Sequence, residues 1–167
     1  MEIRVLSSDD VQKALPMAEA IEGMKRAYSR LSSGRVEMPL RSRVHVPEQE
    51  GVLLTMPAAL PDDSEMAVKL VTVFGKNPTR GFPLIHAAVL VLDTENGQIK
   101  ALMDGEVLTA VRTGAGVGAA TELLASTDAV SVAIIGSGKQ ACSQLDAVCT
   151  VRSIRQAWVY SPNPEHV

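Results

Sequence analysis

Residues 132–141 read VAIIGSGKQA: an apolar run stops at Gly136, a second glycine follows at Gly138, and Ala141 stands three residues on. Glycines at this spacing, between a strand and a helix, suit the holding of a nucleotide's diphosphate. The first glycine permits the tight turn, the second lets the pyrophosphate approach the backbone, and a small third residue lets helix and strand pack closely. The phosphates then meet the N–H groups that open the helix, helped by its dipole. The spacing alone is weak. Its context is stronger, because an apolar strand precedes the turn and a second strand, IRQAWVYS, follows the helix. That strand ends at Ser161, followed by Pro162 and Asn163. An acid at its end would hold the ribose 2′-hydroxyl of NAD. The serine removes repulsion against a 2′-phosphate, so the cofactor is read as NAD or NADP with a lean to NADP; no adjacent arginine reinforces it.

The elements around this turn form one βαβ unit, VSVAIIG, SGKQACSQLDAVCTV and IRQAWVYS, which favours a parallel strand pair. STDA, at 126–129, marks the boundary before it. The chain is therefore divided into a substrate-binding and dimerisation domain at 1–128 and a partial nucleotide-binding domain at 129–167. The first domain opens with helical spacing in SSDDVQKALPMAEAIEGMKRAYSRLSSG, from Val11 through Leu15, Ala18, Ile21 and Met24 to Leu31. Ser8 or Asp9 is expected to cap it, Pro16 to split it into two helices, and Gly34 to end it. RSRVHV, GVLLTMPA, MAVKLVTVF and IHAAVLVLD then read as strands. A turn at Asn96–Gly97 closes a hairpin with the next strand. DGEVLTAVRTGAGVGAATELLAS returns to helical spacing, and its glycines imply close approach to another element or a ligand. The fold class is α/β: an α+β domain on an antiparallel or mixed sheet, then the first βαβ unit of a Rossmann domain.

The bulk numbers exclude other classes. A net charge of -3, with Lys and Arg spread along the chain, leaves no basic face for nucleic acid and no polybasic membrane patch. No run of about 18 apolar residues occurs, and the N-terminus carries no signal-peptide core. The expected location is the cytoplasm. Cys142 and Cys149, seven residues apart on one helix, are too far apart for a disulfide and are expected to be buried free thiols. His45 and His86 read as packing or edge residues, and no metal-ligand spacing is found, so no metal is expected.

Taken in order, MPLRSRV, AVKLVTVF, ALMDGEVLTAVRTGAGVGAATELLA and VAIIGSGKQA resemble the ornithine cyclodeaminase/mu-crystallin family over nearly the whole chain. The resemblance implies an NAD(P)-dependent enzyme of amino acids or cyclic imino acids: a cyclodeaminase, ketimine reductase or alanine dehydrogenase, acting as a homodimer. It implies that Arg41, Lys69 and Arg112 hold the substrate carboxylate, Lys69 being the catalytic candidate. It places Arg112, Thr113, Gly136, Gly138, Lys139, Gln140 and Ser161 on the cofactor. A planar guanidinium suits a carboxylate, because it grips in a fixed orientation. Asp104 reads as a helix cap rather than a chemical group. Where some members carry a cofactor-touching threonine, this chain has Leu84. The family runs to roughly twice this length, so the chain is expected to be its N-terminal portion, cut within the Rossmann domain and without a downstream aspartate that cyclodeaminases use. The competing reading is a catalytically incomplete ligand-binding or dimerisation module.

Overall fold

In a computed structural model, which describes residues 2–163, the elements follow in order. They are β1 (Arg4–Leu6), α1 (Ser8–Ala14), α2 (Met17–Ser32), β2 (Ser42–Val46), β3 (Gly51–Leu60), β4 (Glu65–Phe74), β5 (Ile85–Asp93), β6 (Ile99–Asp104), α3 (Gly105–Leu124), β7 (Ser131–Ile135), α4 (Lys139–Val151) and β8 (Gln156–Tyr160). The chain forms two compact units: Met1–Val11 with Arg30–Leu108, and Gln12–Ser29 with Thr109–Val167.

The first unit is built on a six-stranded sheet in the order β1-β6-β5-β4-β3-β2. β1 runs parallel to β6 and the other neighbours are antiparallel, so the sheet is mixed. β1 was not anticipated, although Met1-Glu2-Ile3-Arg4-Val5 alternates apolar and polar residues; the strand is only three residues long. Pro57 sits inside β3 without breaking it. Ala59, of the same parity, exchanges both backbone hydrogen bonds with Glu37, so this edge of β3 faces away from β4. Pro57 therefore falls between the last β2 pair, at Thr55, and that bridge, where no N–H is required. The β5–β6 hairpin is closed by Asp93 N–H donating to Gln98 O, with Gly97 at φ 73. Asp93 Oδ1 accepts from Glu95 N–H and Asn96 Oδ1 from Gln98 N–H, so the Asn96–Gly97 turn forms inside a longer loop.

Helix boundaries follow local chemistry. Ser7, rather than Ser8 or Asp9, caps α1: its Oγ accepts from Asp10 N–H at 3.3 Å while Asp10 Oδ2 accepts from Ser7 N–H at 2.9 Å. Pro16 lies between α1 and α2, and its carbonyl accepts from Ala20 N–H. α2 ends at Gly34, φ 71, where Gly34 N–H donates to Leu31 O and Arg35 N–H to Arg30 O. That paired pattern satisfies the last carbonyls, and the left-handed φ selects glycine.

The second unit packs part of α2 against α3 and α4, beside the parallel pair β7–β8. Its core is small and aliphatic: Ala20, Ile21, Ala115, Ala119 and Ala147 are buried, with Leu15, Met24, Val111 and Val151 around them. Leu31, which shares the helical spacing, is instead exposed. The glycines of α3 explain the tight packing. A Cβ at Gly114 would lie 2.3 Å from Ser143 O, and one at Gly118 would lie 2.7 Å from Ile21 Cδ1 and 3.2 Å from Ala147 Cβ. Contacts 114 to 143 and 118 to 147 advance together, so α3 and α4 run parallel. Cys142 and Cys149 are free but exposed, not buried, because Ser143 and Ala147 supply the face that meets α3. No helix among the described residues is long and apolar enough to cross a membrane.

Candidate active site

In the first unit, Lys69 lies mid-β4 and is half-buried, paired with Met56 on β3 and Val89 on β5. Arg41 is exposed and stands one residue before β2. Ser42 pairs with Thr55, so continuing that register sets Arg41 opposite Met56. Arg41 and Lys69 thus fall in one cross-strand row with a single strand between them, about 10 Å apart along the backbone at the usual strand spacing. Arg43, paired with Leu54, lies two rows further on, on the same face. Asp104 is a cap, as its residue type implies: Oδ1 accepts from Val107 N–H at 2.8 Å. It opens α3 directly off β6. The turn needs Gly105, since a Cβ there would lie 2.7 Å from the Ala87 backbone. His86 is exposed on β5, with Nδ1 3.8 Å from a Glu106 carboxylate oxygen.

In the second unit, the turn after β7 is held by Gly136 N–H donating to Tyr160 O at 2.8 Å. Gly136 adopts φ 114, a conformation that favours glycine. Gly138 differs: it caps α4 with φ -73 and ψ 176, which any residue adopts, and apart from its chain neighbours nothing lies within 4 Å of a Cβ built on it. Neither its backbone nor its packing demands a glycine. α4 starts at Lys139 with no side-chain cap bond and no acid in its first turn. Lys139 and Gln140 are exposed there. Ser161, at the end of β8, is half-buried. Its Oγ accepts from Ser137 Oγ–H at 2.8 Å and from Asn163 N–H at 3.3 Å, tying the end of β8 to the glycine turn.

The parallel helices bring α3 to the same place. The offset that pairs Gly114 with Ser143 sets Arg112 and Thr113 level with the first turn of α4. Arg112 is exposed, on the rim of a cleft lined by Leu15, Gly23 and Met24. Thr113 Oγ1 is buried and has no hydrogen-bond partner. An unpaired buried hydroxyl costs about 1–3 kcal/mol unless a ligand satisfies it. Three features of one helix-pair end therefore fit a dinucleotide: an open cradle at Gly138, an orphaned hydroxyl at Thr113, and an acid-free helix start. Two contributions were not foreseen. In the sequence Ser137 reads for its backbone amide, and the bond from its hydroxyl to Ser161 was not anticipated. Arg152 follows the apolar end of α4, a position where cations are favoured, and this was the available signal.

The model of the ornithine cyclodeaminase/mu-crystallin family matches residues 1–167, and the chain belongs to that family. It is 32% identical over 161 residues to the Delta(1)-pyrroline-2-carboxylate reductase of Bacillus cereus, covering 96% of this chain and 50% of that one. It is 31% identical over 165 residues to the ketimine reductase mu-crystallin of Rattus norvegicus, covering 96% and 53%. Among solved structures, it is similar to the Thermococcus litoralis Delta(1)-pyrroline-2-carboxylate reductase in complex with NADH and L-proline. The TM-score is 0.89 at 41% identity, covering 98% of this chain and 51% of that one. An archaeal alanine dehydrogenase dimer with bound NAD matches with TM-score 0.90 at 30% identity, over 99% and 51%. The chain spans about half the length of the curated relatives it matches.

Proposed function

We propose that this chain supplies the substrate cations and the first half of the nucleotide site of an NAD(P)-dependent enzyme acting on a small amino acid or cyclic imino acid. The observation that carries this reading is Gly138, a glycine that neither backbone nor packing requires, at the opening of a helix beside an orphaned threonine hydroxyl. The similarity to two pyrroline-carboxylate reductases and a ketimine reductase supports the reductive direction.

Each residue then has a task. Lys69 and Arg41, in one row of the sheet, hold the substrate carboxylate, Lys69 as a point charge and Arg41 through its planar fork. Arg112 orients the reacting end, Thr113 donates its hydroxyl to the cofactor, and the backbone at Gly136, Gly138, Lys139 and Gln140 cradles the diphosphate. Ser161 meets the adenosine ribose, and its neutral side chain tolerates a 2′-phosphate. The bound dinucleotide supplies a hydride donor or acceptor. The protein contributes orientation, which is where transfer between two fixed carbons gains most.

The opposite face of the sheet supports a homodimer. Val5, Leu102, Leu90, Val68 and Pro57 form one apolar row across five strands, and Val5 is 69% exposed. Such a row favours a covered state.

The test is to measure NAD(P)H oxidation by the intact protein with pyrroline-2-carboxylate and with pyruvate plus ammonia, and the deamination of ornithine. Activity with at least one is expected, and Lys69→Met should lower its kcat/KM by about a hundredfold or more. Silence with all three rejects the reading.

A further inference from the structure

Arg152 closes α4, and its guanidinium lies on the far end of α3. Nε donates to Ser126 O at 2.9 Å. Nη2 is shared among Ala125 O at 2.8 Å, Thr121 O at 2.9 Å and Glu122 O at 3.0 Å. Nη1 donates to Val151 O, at the end of its own helix, at 2.8 Å. On α3 these acceptors lie in the last turn and the two residues after it. Thr121 O also takes Ala125 N–H and Ser126 O takes Ala129 N–H, so the guanidinium adds a second donor there and reaches Glu122 O and Ala125 O as well. The cation also has an electrostatic reason to be there. α3 and α4 are parallel, so their negative dipole ends lie together, and one positive group serves both.

The rest of the contact between these helices gives closeness but only part of the register. Gly114 and Gly118 sit four residues apart, against Ser143 and Ala147, also four apart. A slide by one helical turn would present Gly118 to Ser143 in place of Gly114 while bringing Glu122 against buried Ala147, so the small residues set the lengthwise position only in part. A guanidinium fork completes it: its donors have a fixed geometry and reach carbonyls at defined points of the last turn. At the other end of the pair, that lengthwise position decides whether Arg112 and Thr113 stand level with the first turn of α4.

We propose that Arg152 is a positioning residue, a clasp that fixes the register of α3 against α4 and so holds Arg112 and Thr113 beside the glycine turn. The proposal rests on the nucleotide role of that turn. It differs from a plain helix cap in a measurable way, because a cap changes stability, whereas a register clasp changes ligand affinity through Arg112.

The experiment is a double-mutant cycle on the intact protein, reading NADH and NADPH affinity by fluorescence below the melting temperature of every variant. Arg152→Met should weaken binding at least about fivefold, and by clearly less when Arg112 is already Met, since only the Thr113 share of the loss then remains. Arg152→Lys, which keeps the charge and folds if Arg152→Met does not, should also weaken binding because the fork is gone. Equal losses in both backgrounds, or unchanged affinity in folded Arg152→Met or Arg152→Lys, would overturn the clasp. Wild-type affinity in Arg112→Met would overturn it as well, since the clasp would then position nothing. No binding by the wild type would instead overturn the nucleotide reading beneath it.

Discussion

Ser161 ends β8 at the position where the proposed nucleotide site meets the adenosine ribose. Its oxygen accepts from Asn163 N–H and shares a hydrogen bond with the Ser137 hydroxyl, and its rotatable O–H can turn to donate to a ligand. A donor suits phosphate oxygens, and a carboxylate in its place would repel them while accepting from a ribose hydroxyl. Ser161→Asp is therefore expected to shift the NADH to NADPH affinity ratio toward NADH by about tenfold or more, one charge contact being worth about 1.5–3 kcal/mol. Titration of both cofactors checks it, and an unchanged ratio would remove Ser161 from the ribose site. The sequence shows Ser161 at the end of a strand. It does not show the Ser137 partner, because a hydroxyl pair 24 residues apart leaves no spacing signal.

Among the elements, α3 gives the sharpest contrast. Gly114 and Gly116 lie two positions apart, yet their substitutions should act in opposite directions. A Cβ at Gly114 meets a backbone oxygen of α4 that cannot move without shifting the helix. Gly114→Ala should destabilise by about 1–3 kcal/mol. A Cβ at Gly116 meets only the hydroxyl end of Tyr28, a half-exposed side chain free to swing away. Gly116→Ala should be neutral, or stabilise by up to about 1 kcal/mol through helix propensity. Chemical denaturation of both variants decides this, and equal effects would mean that α3 does not pack on α4 as described. The sequence gathered these glycines onto one helix and left two partners open, a neighbouring element or a ligand. The structure assigns Gly114 and Gly118 to neighbouring helices.

The β5–β6 hairpin carries a pH-dependent element. Lys100 donates to Asp93 at 2.7 Å, and with the Glu95 N–H it holds the carboxyl of Asp93 below its ordinary value of 3.8. A lowered folded-state value means that the pair stabilises above pH 3.8 and is lost as pH falls through that lower value. The melting-temperature gap between the wild type and Lys100→Met should therefore shrink on acidification below that point. A gap independent of pH would show that the charge pair contributes nothing.

At the scale of the whole molecule, the parts legible in the sequence were those with strong local signals. They include four strands with clear apolar patterning, the helix break at Pro16, the left-handed stop at Gly34 and the βαβ unit. The parts missed depend on distant partners. β1 exists because β6 offers it an edge, and Cys142 and Cys149 are exposed because Ser143 and Ala147 take the packed face. Arg152 finds backbone carbonyls whose identity no sequence records. The apolar row through Leu102 is also visible only once the strand register is known. Leu102→Asp should convert the proposed dimer to a monomer in sedimentation, and a variant that remains dimeric would place the subunit contact elsewhere.

The nucleotide turn is tested most directly at Gly138. Its φ of -73 and the open space around it mean that alanine adds no strain and no clash to the chain alone. Gly138→Ala should keep or slightly raise the melting temperature, since alanine restricts the unfolded chain. In the proposed site the added methyl would stand in the path of the pyrophosphate. NAD(P)H titration of the wild type and Gly138→Ala is the deciding measurement: affinity lost with stability retained is the predicted result. Unaltered dinucleotide affinity in a fully folded Gly138→Ala protein would contradict the account.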